Sequence, residues 1–118
     1  FLDLCDEYGM WVILENDLET HGFECSGWDG NPTDDDRWYD CLLNRIQRTV
    51  ERDKNHPAII GWSMGNESHC GEGIRLMNEW VKDRDPSRFT HYEGGRRPHH
   101  LRCVDGHVSV HGVGRSRA

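Results

Sequence analysis

The sequence contains no apolar stretch near the ~18–20 residues of a membrane-spanning helix. It has no basic excess: the net charge is −7. The arginine-rich end (Arg96, Arg97, Arg102, Arg115, Arg117) is short, which argues against a nucleic-acid groove. Its five cysteines, Cys5, Cys25, Cys41, Cys70 and Cys103, form no C-x-x-C pair. An odd, scattered set points to reduced thiols in the cytoplasm rather than to a disulfide framework. There is no signal peptide and no initiator methionine. The chain opens on Phe1 inside a helical pattern, so the native N-terminus is expected elsewhere. Hydrophobic content is 35% and charged content 30% over 118 residues, with a mean hydropathy of −0.85. That is lean for a self-sufficient α/β core and allows one small domain or part of a larger one.

What is present is an alternation. Residues 1, 4, 5 and 8 are apolar at helical spacing and Gly9 is a natural stop. Met10-Trp11-Val12-Ile13-Leu14 is a continuous apolar run, read as a strand buried on both faces. A loop rich in Gly, Asp, Asn and Pro follows to about residue 35. Asp36 can cap a helix with Trp38, Leu42, Leu43, Ile46 and Val50 on one side. After the turn Asn55-His56-Pro57, residues 58–63 read as a second buried strand. A helix over 72–83 carries Ile74, Met77, Trp80 and Val81 and closes at Asp85-Pro86, and residues 89–93 form a third strand. The order α, β, α, β, α, β implies parallel strands joined by crossover helices. From about Gly94 no helical period survives, and no structure is assigned.

In parallel α/β folds function collects at the carboxyl ends of the strands, where loops are freed from packing. Glu15, Glu19 and His21 follow the first strand, and Asn66 and Glu67 follow the second. Each has a plainer reading. A lone Glu after a strand is more often a helix cap or solvated. His21 alone suits surface or packing, and Glu15 can be a structural acceptor. Trp62 fits the core or a sugar face; His69 and Cys70 read as structural. Two glutamates and a histidine on one rim nevertheless suit an oxygen-rich divalent cation, with Mg²⁺ favoured over Zn²⁺, and a held glutamate suits acid/base work.

The segments LCDEYGMWVILENDLETHGF, RWYDCLLNRIQRTVERDKNHPAIIGWSMGNES and DPSRFTHYEGG resemble, in order and spacing, the catalytic domain of the β-galactosidases of glycoside hydrolase family 2. The resemblance covers residues 1–95, with 96–118 left as an irregular tail. ETHG and GNES are more like β-galactosidases than the family's β-glucuronidases, which typically carry NEP there.

By that resemblance the fold is α/β, a partial (β/α)₈ TIM barrel, and the activity is retaining hydrolysis of terminal non-reducing β-D-galactose, lactose being the expected substrate. The resemblance places the acid/base on Glu67, a sugar contact near the 2-hydroxyl on Asn66, and Mg²⁺ ligands on Glu19, His21 and Glu67. It implies a full-length homo-oligomer. The nucleophile would lie on a later strand than this chain reaches, and Glu93 belongs to the YEGG stretch instead. Codons shifted by one nucleotide could turn the tail from His99 into Thr-Thr-Ser-Asp-Val-Ser-Met-Ala-Thr-Tyr, so an out-of-frame end is expected. The competing readings are another family 2 exo-β-glycosidase such as a β-glucuronidase, a non-catalytic remnant, and, ranked low for want of a second histidine, a metal-dependent hydrolase.

Overall fold

The computed structural model describes residues 1–93; the tail from 96 and the domain boundary at 95 lie outside them. Helix α1 (Leu2–Tyr8) ends on Gly9, whose left-handed backbone (φ 67°) lets its N–H reach the carbonyls of Asp6 and Cys5. Strand β1 (Val12–Glu15) leads into a loop with a 3-10 turn over His21–Ser26, then two more over Pro32–Asp34 and Asp36–Trp38. Helix α2 (Tyr39–Asp53), strand β2 (Ile59–Asn66), helix α3 (Glu72–Arg84) and strand β3 (Phe89–Glu93) complete the described chain. The strands are parallel in the order β1-β2-β3. This is the expected α/β alternation in an open sheet.

The core lies between the helices and the sheet. Leu42, Ile46 and Val50 recur at every fourth position of α2, and Ile74, Met77 and Val81 line the matching face of α3. Ile59, Trp62 and Met64 of β2 meet them, all buried. Trp62 is wholly core: its indole N–H donates to Asp85 Oδ2 at 2.9 Å and the Arg88 guanidinium sits 5.4 Å from its ring centre. No sugar face is available there. At Gly61 an added Cβ would fall 2.4 Å from Phe89 Cζ, so the ring of Phe89 occupies the space that a side chain on β2 would need.

Four details depart from expectation. Strand β1 is not buried on both faces: its residues alternate half-buried and exposed, and Ile13 is 49% exposed. It pairs with β2 on one side only, as the edge strand of the described sheet. Strand β2 runs three residues beyond 63, to Asn66. The cap before α2 is Asp35, whose carboxylate accepts from Arg37 N–H at 3.1 Å, and the α-helix begins only after a 3-10 turn that leaves Trp38 exposed. Cys5, Cys25 and Cys41 carry free thiols, but Cys70 is disulfide-bonded, against the reading of reduced thiols throughout.

A polar row crosses the sheet at one register level. Glu15 pairs with Ser63 and Ser63 with His91. Ser63 Oγ donates to Glu15 Oε2 at 2.8 Å and lies 3.2 Å from His91 Nδ1. Glu15 is thus a structural acceptor within the sheet.

Phe1, Leu4, Tyr8, Met10, Trp11 and Ile13 are exposed apolar residues of α1, β1 and the link between them. An uncovered strip of this kind beside an unpaired strand edge favours association. The isolated 118-residue chain is expected to melt broadly and to elute as larger species, measured by circular dichroism and size-exclusion chromatography; a sharp monomeric transition would contradict this.

Asp85 provides a second test. Burial pushes its carboxyl up, but hydrogen bonds from Ser87, Arg88 and Trp62 outweigh it and bring the pKa from 3.8 to about 2. A folded value below the unfolded one gives stability that is present above pH 3.8 and lost as the pH falls towards about 2. Asp85→Asn in a full-length protein carrying this segment is expected to cost about 3 kcal/mol by chemical unfolding, because Arg88 loses its buried partner.

Candidate active site

The loop after β1 folds back onto the end of β2. Glu19 forms a parallel bridge with Asn66, and Asn66 N–H donates to Leu18 O at 2.9 Å. Gly65 allows this approach: its φ is 144°, and a Cβ there would lie 2.8 Å from Leu18 Cβ. The next residue but one, Glu67, has a left-handed backbone (φ 36°), and its N–H donates to Glu93 O at 2.8 Å. The bend turns the Glu67 side chain out of the strand, where it is half exposed. Glu67 is not a helix cap, since α3 starts from Gly71 with no side-chain cap.

The four candidate residues meet. Asn66 Nδ2 donates to Glu19 Oε2, and Glu19 Oε1 accepts the His21 main-chain N–H at 2.9 Å. His21 Nδ1 lies 2.9 Å from Glu67 Oε2. The other ring nitrogen, Nε2, lies 2.9 Å from Glu24 Oε2. Both imidazole nitrogens therefore face carboxylates.

The charges follow from these contacts. The Asn66 amide, then the His21 main-chain N–H, hold the Glu19 carboxyl below its usual range. The Glu24 hydrogen bond, followed by the charge of Glu67, raises the His21 imidazole above its ordinary value.

Beneath the site lies a buried hydrogen-bond junction. Ser68 N–H donates to Tyr92 Oη at 2.9 Å, and Tyr92 Oη donates to His69 O at 2.7 Å. Ser68 Oγ accepts from Thr20 N–H at 2.7 Å and donates to Asn66 O at 2.7 Å. Ser68 O accepts from Asn31 Nδ2 at 2.8 Å and from Thr33 Oγ1 at 2.9 Å. Asn31, Thr33 and Ser68 are all essentially buried. Burial pushes the Tyr92 phenol up to about 12, so it stays a neutral hydrogen-bond bridge.

Sequence reasoning missed Glu24, Trp28 and this junction. Glu24 stands three residues after His21, the contact spacing of one turn, which was the available signal. The Trp28 ring stacks on His21 (centroids 6.3 Å, planes 7° apart) and on His69 (5.0 Å, 26°). Trp28, Glu67 and His69 are the non-glycine residues with positive φ among the described residues, and all three belong to this site. Such conformations cost about 1–3 kcal/mol each and gather where the surroundings enforce them.

Residues 1–112 match the family model "Glycosyl hydrolases family 2, TIM barrel domain". The chain belongs to this family. This family 2 segment is 60% identical over 94 residues to the β-galactosidase of Arthrobacter sp. (strain B7), covering 80% of the chain and 9% of that protein. It is 50% identical over 94 residues to the β-galactosidase of Vibrio cholerae serotype O1, covering 79% of the chain and 9% of that protein. The chain therefore spans about a tenth of the length of these curated relatives. A solved β-glucuronidase from an uncultured Clostridium sp. superposes with a TM-score of 0.62 at 24% identity, over 77% of this chain and 16% of that one. That likeness shows the barrel fold alone. Among the described residues no helix is long and apolar enough to cross a membrane.

Ser68→Ala removes both side-chain bonds that tie Thr20 to Asn66. A buried partner left unmet costs about 1–3 kcal/mol, and a melt of the full-length protein carrying the variant is expected to show a loss of that order.

Proposed function

We propose that this segment is part of a retaining β-galactosidase and supplies its acid/base, Glu67. The observation that carries the reading is the convergence of Glu67, His21, Glu19 and Asn66 on one strand end in a chain 60% identical to a β-galactosidase. Substrate class rests on those relatives, with lactose the proposed substrate. The whole enzyme is proposed to be cytoplasmic and homo-oligomeric.

In the first step protonated Glu67 gives its proton to the glycosidic oxygen as the bond to the anomeric carbon breaks. A second carboxylate about 5–5.5 Å away forms the glycosyl ester. That nucleophile is proposed to lie outside this chain. In the second step Glu67 takes a proton from water as the water oxygen bonds to the anomeric carbon and releases the enzyme carboxylate. Asn66 is proposed to turn its amide from Glu19 to a sugar hydroxyl when substrate enters.

Mg²⁺ belongs to the same proposal, with Glu19, His21 and Glu67 as ligands. The donor types suit it, two carboxylates and an imidazole, and His21 Nδ1 already lies 2.9 Å from Glu67 Oε2, but the three ligand atoms do not all lie within 4.8 Å of one another as the loops stand. Glu19 is spoken for, one oxygen to Asn66 and the other to His21 N–H, so its carboxylate would have to exchange one of these. A bound Mg²⁺ would supply positive charge that helps set the protonation state of Glu67 and orients it. The compact His/carboxylate group among the described residues, Asp3, Asp6 and His56, lies at the opposite, amino end of β2.

In the full-length enzyme, Glu67→Gln is expected to slow hydrolysis of lactose by about 10²–10⁴-fold and to spare activated aryl galactosides in the glycosylation step. Wild-type rates on both would remove Glu67 from the acid/base role. Glu19→Gln and His21→Ala are expected to weaken Mg²⁺ binding measured by equilibrium dialysis; unchanged binding in both would remove the metal assignment. The 118-residue chain alone is expected to give no turnover.

A further inference from the structure

We propose that Trp28 is a positioning residue of this site: stacked on the imidazoles of His21 and His69, it braces the loop after β1 against the loop that carries Glu67. The inference rests on the reading of Glu67 as the acid/base and adds a residue that acts through its neighbours.

The backbone makes the first argument. Gly27, Trp28 and Gly30 all have left-handed backbones, with φ of 66°, 70° and 72°. Two of the three are glycines, which adopt this region freely; a bulky aromatic does not. Trp28 is held there by its N–H, which donates to Phe23 O at 2.8 Å, and by its carbonyl, which accepts from Asn31 N–H at 3.2 Å. The loop is thus built to present an indole at a place where glycine would be the relaxed choice.

The direction of the ring makes the second. His21 and His69 belong to different loops, and each stands two residues from a carboxylate of the site, Glu19 and Glu67 respectively. The indole stacks on both imidazoles. The buried Ser68 junction already ties the two loops at their base through Thr20 and Asn31. Trp28, half-buried, ties them at the outer rim, next to the 2.9 Å contact of His21 with Glu67. His69 has a left-handed backbone too (φ 62°), so both loops bend to bring their rings together. A ring that carries two imidazoles at stacking distance works as a brace, whereas a sugar platform presents an open face.

The test uses Trp28→Phe, Trp28→Ala and Trp28→Gly in the full-length enzyme, with Glu67→Gln as reference. Each is assayed on lactose and on an activated aryl galactoside. Trp28→Ala and Trp28→Gly are expected to lower kcat on lactose by about 10–100-fold with KM within about threefold, and Trp28→Phe to restore most of the rate. The aryl substrate should lose less. Trp28→Gly relaxes the backbone, so its Tm should match or exceed that of Trp28→Ala while its rate stays low, an outcome a purely structural role does not give. Wild-type kcat in Trp28→Ala and Trp28→Gly would overturn the inference. So would a raised KM with kcat intact, which would make the ring a substrate contact, or rates that simply follow Tm. If Glu67→Gln is impaired while Trp28→Ala is normal, this inference alone fails. If Glu67→Gln also keeps wild-type rates on lactose, the acid/base reading fails and the inference falls with it.

Discussion

Ser68 is the joint on which the site is built. It is wholly buried, and its N–H, hydroxyl and carbonyl tie it to β3 through Tyr92 and to two places in the loop between β1 and α2, through Thr20 and through Asn31 and Thr33. A buried polar group left unmet costs on the order of 1–3 kcal/mol, so these segments hold one another in place. Glu67 precedes this residue directly and is turned outward by its own backbone twist. Its aim is set by what lies beneath it more than by what it touches.

The electrostatic pattern above that joint is asymmetric. Glu19 is held ionised by donors, while His21 is drawn towards its charged form by Glu24 and Glu67. The imidazole of His21 thus stands between two carboxyl groups, those of Glu24 and Glu67. Its raised pKa opposes any ion that would take the place of a ring proton, which couples ion binding to acidity.

The sequence shows the fold plainly where spacing decides it. Leu42, Ile46 and Val50, or Ile74, Met77 and Val81, allow one helical face each, and both helices lie where they were expected. That Glu67, Asn66, Glu19 and His21 would come together at one strand end was legible because they follow neighbouring parallel strands and because ETHG and GNES are distinctive. Burial of β1 was not legible, since an apolar run does not tell whether both of its faces are covered. Trp28 and Glu24 lie in a loop without periodicity, and their roles come from contacts with His21 and His69 that no local pattern encodes. Asn31, Thr33 and Ser68 looked like ordinary loop polar residues; only three-dimensional closure makes them a core.

The closeness of Phe89 to Gly61 has a consequence for how such a segment can vary. A Cβ on residue 61 would fall 2.4 Å from the ring of Phe89, well inside contact distance. The two positions share one volume, although they sit on different strands and are separated by a whole helix. A side chain at position 61 requires the ring of Phe89 to move or shrink, so a library that enlarges position 61 while shrinking position 89 searches volume-conserving solutions. For recombination between relatives, a crossover placed between β2 and β3 divides that pair, and one placed before β2 transmits it whole.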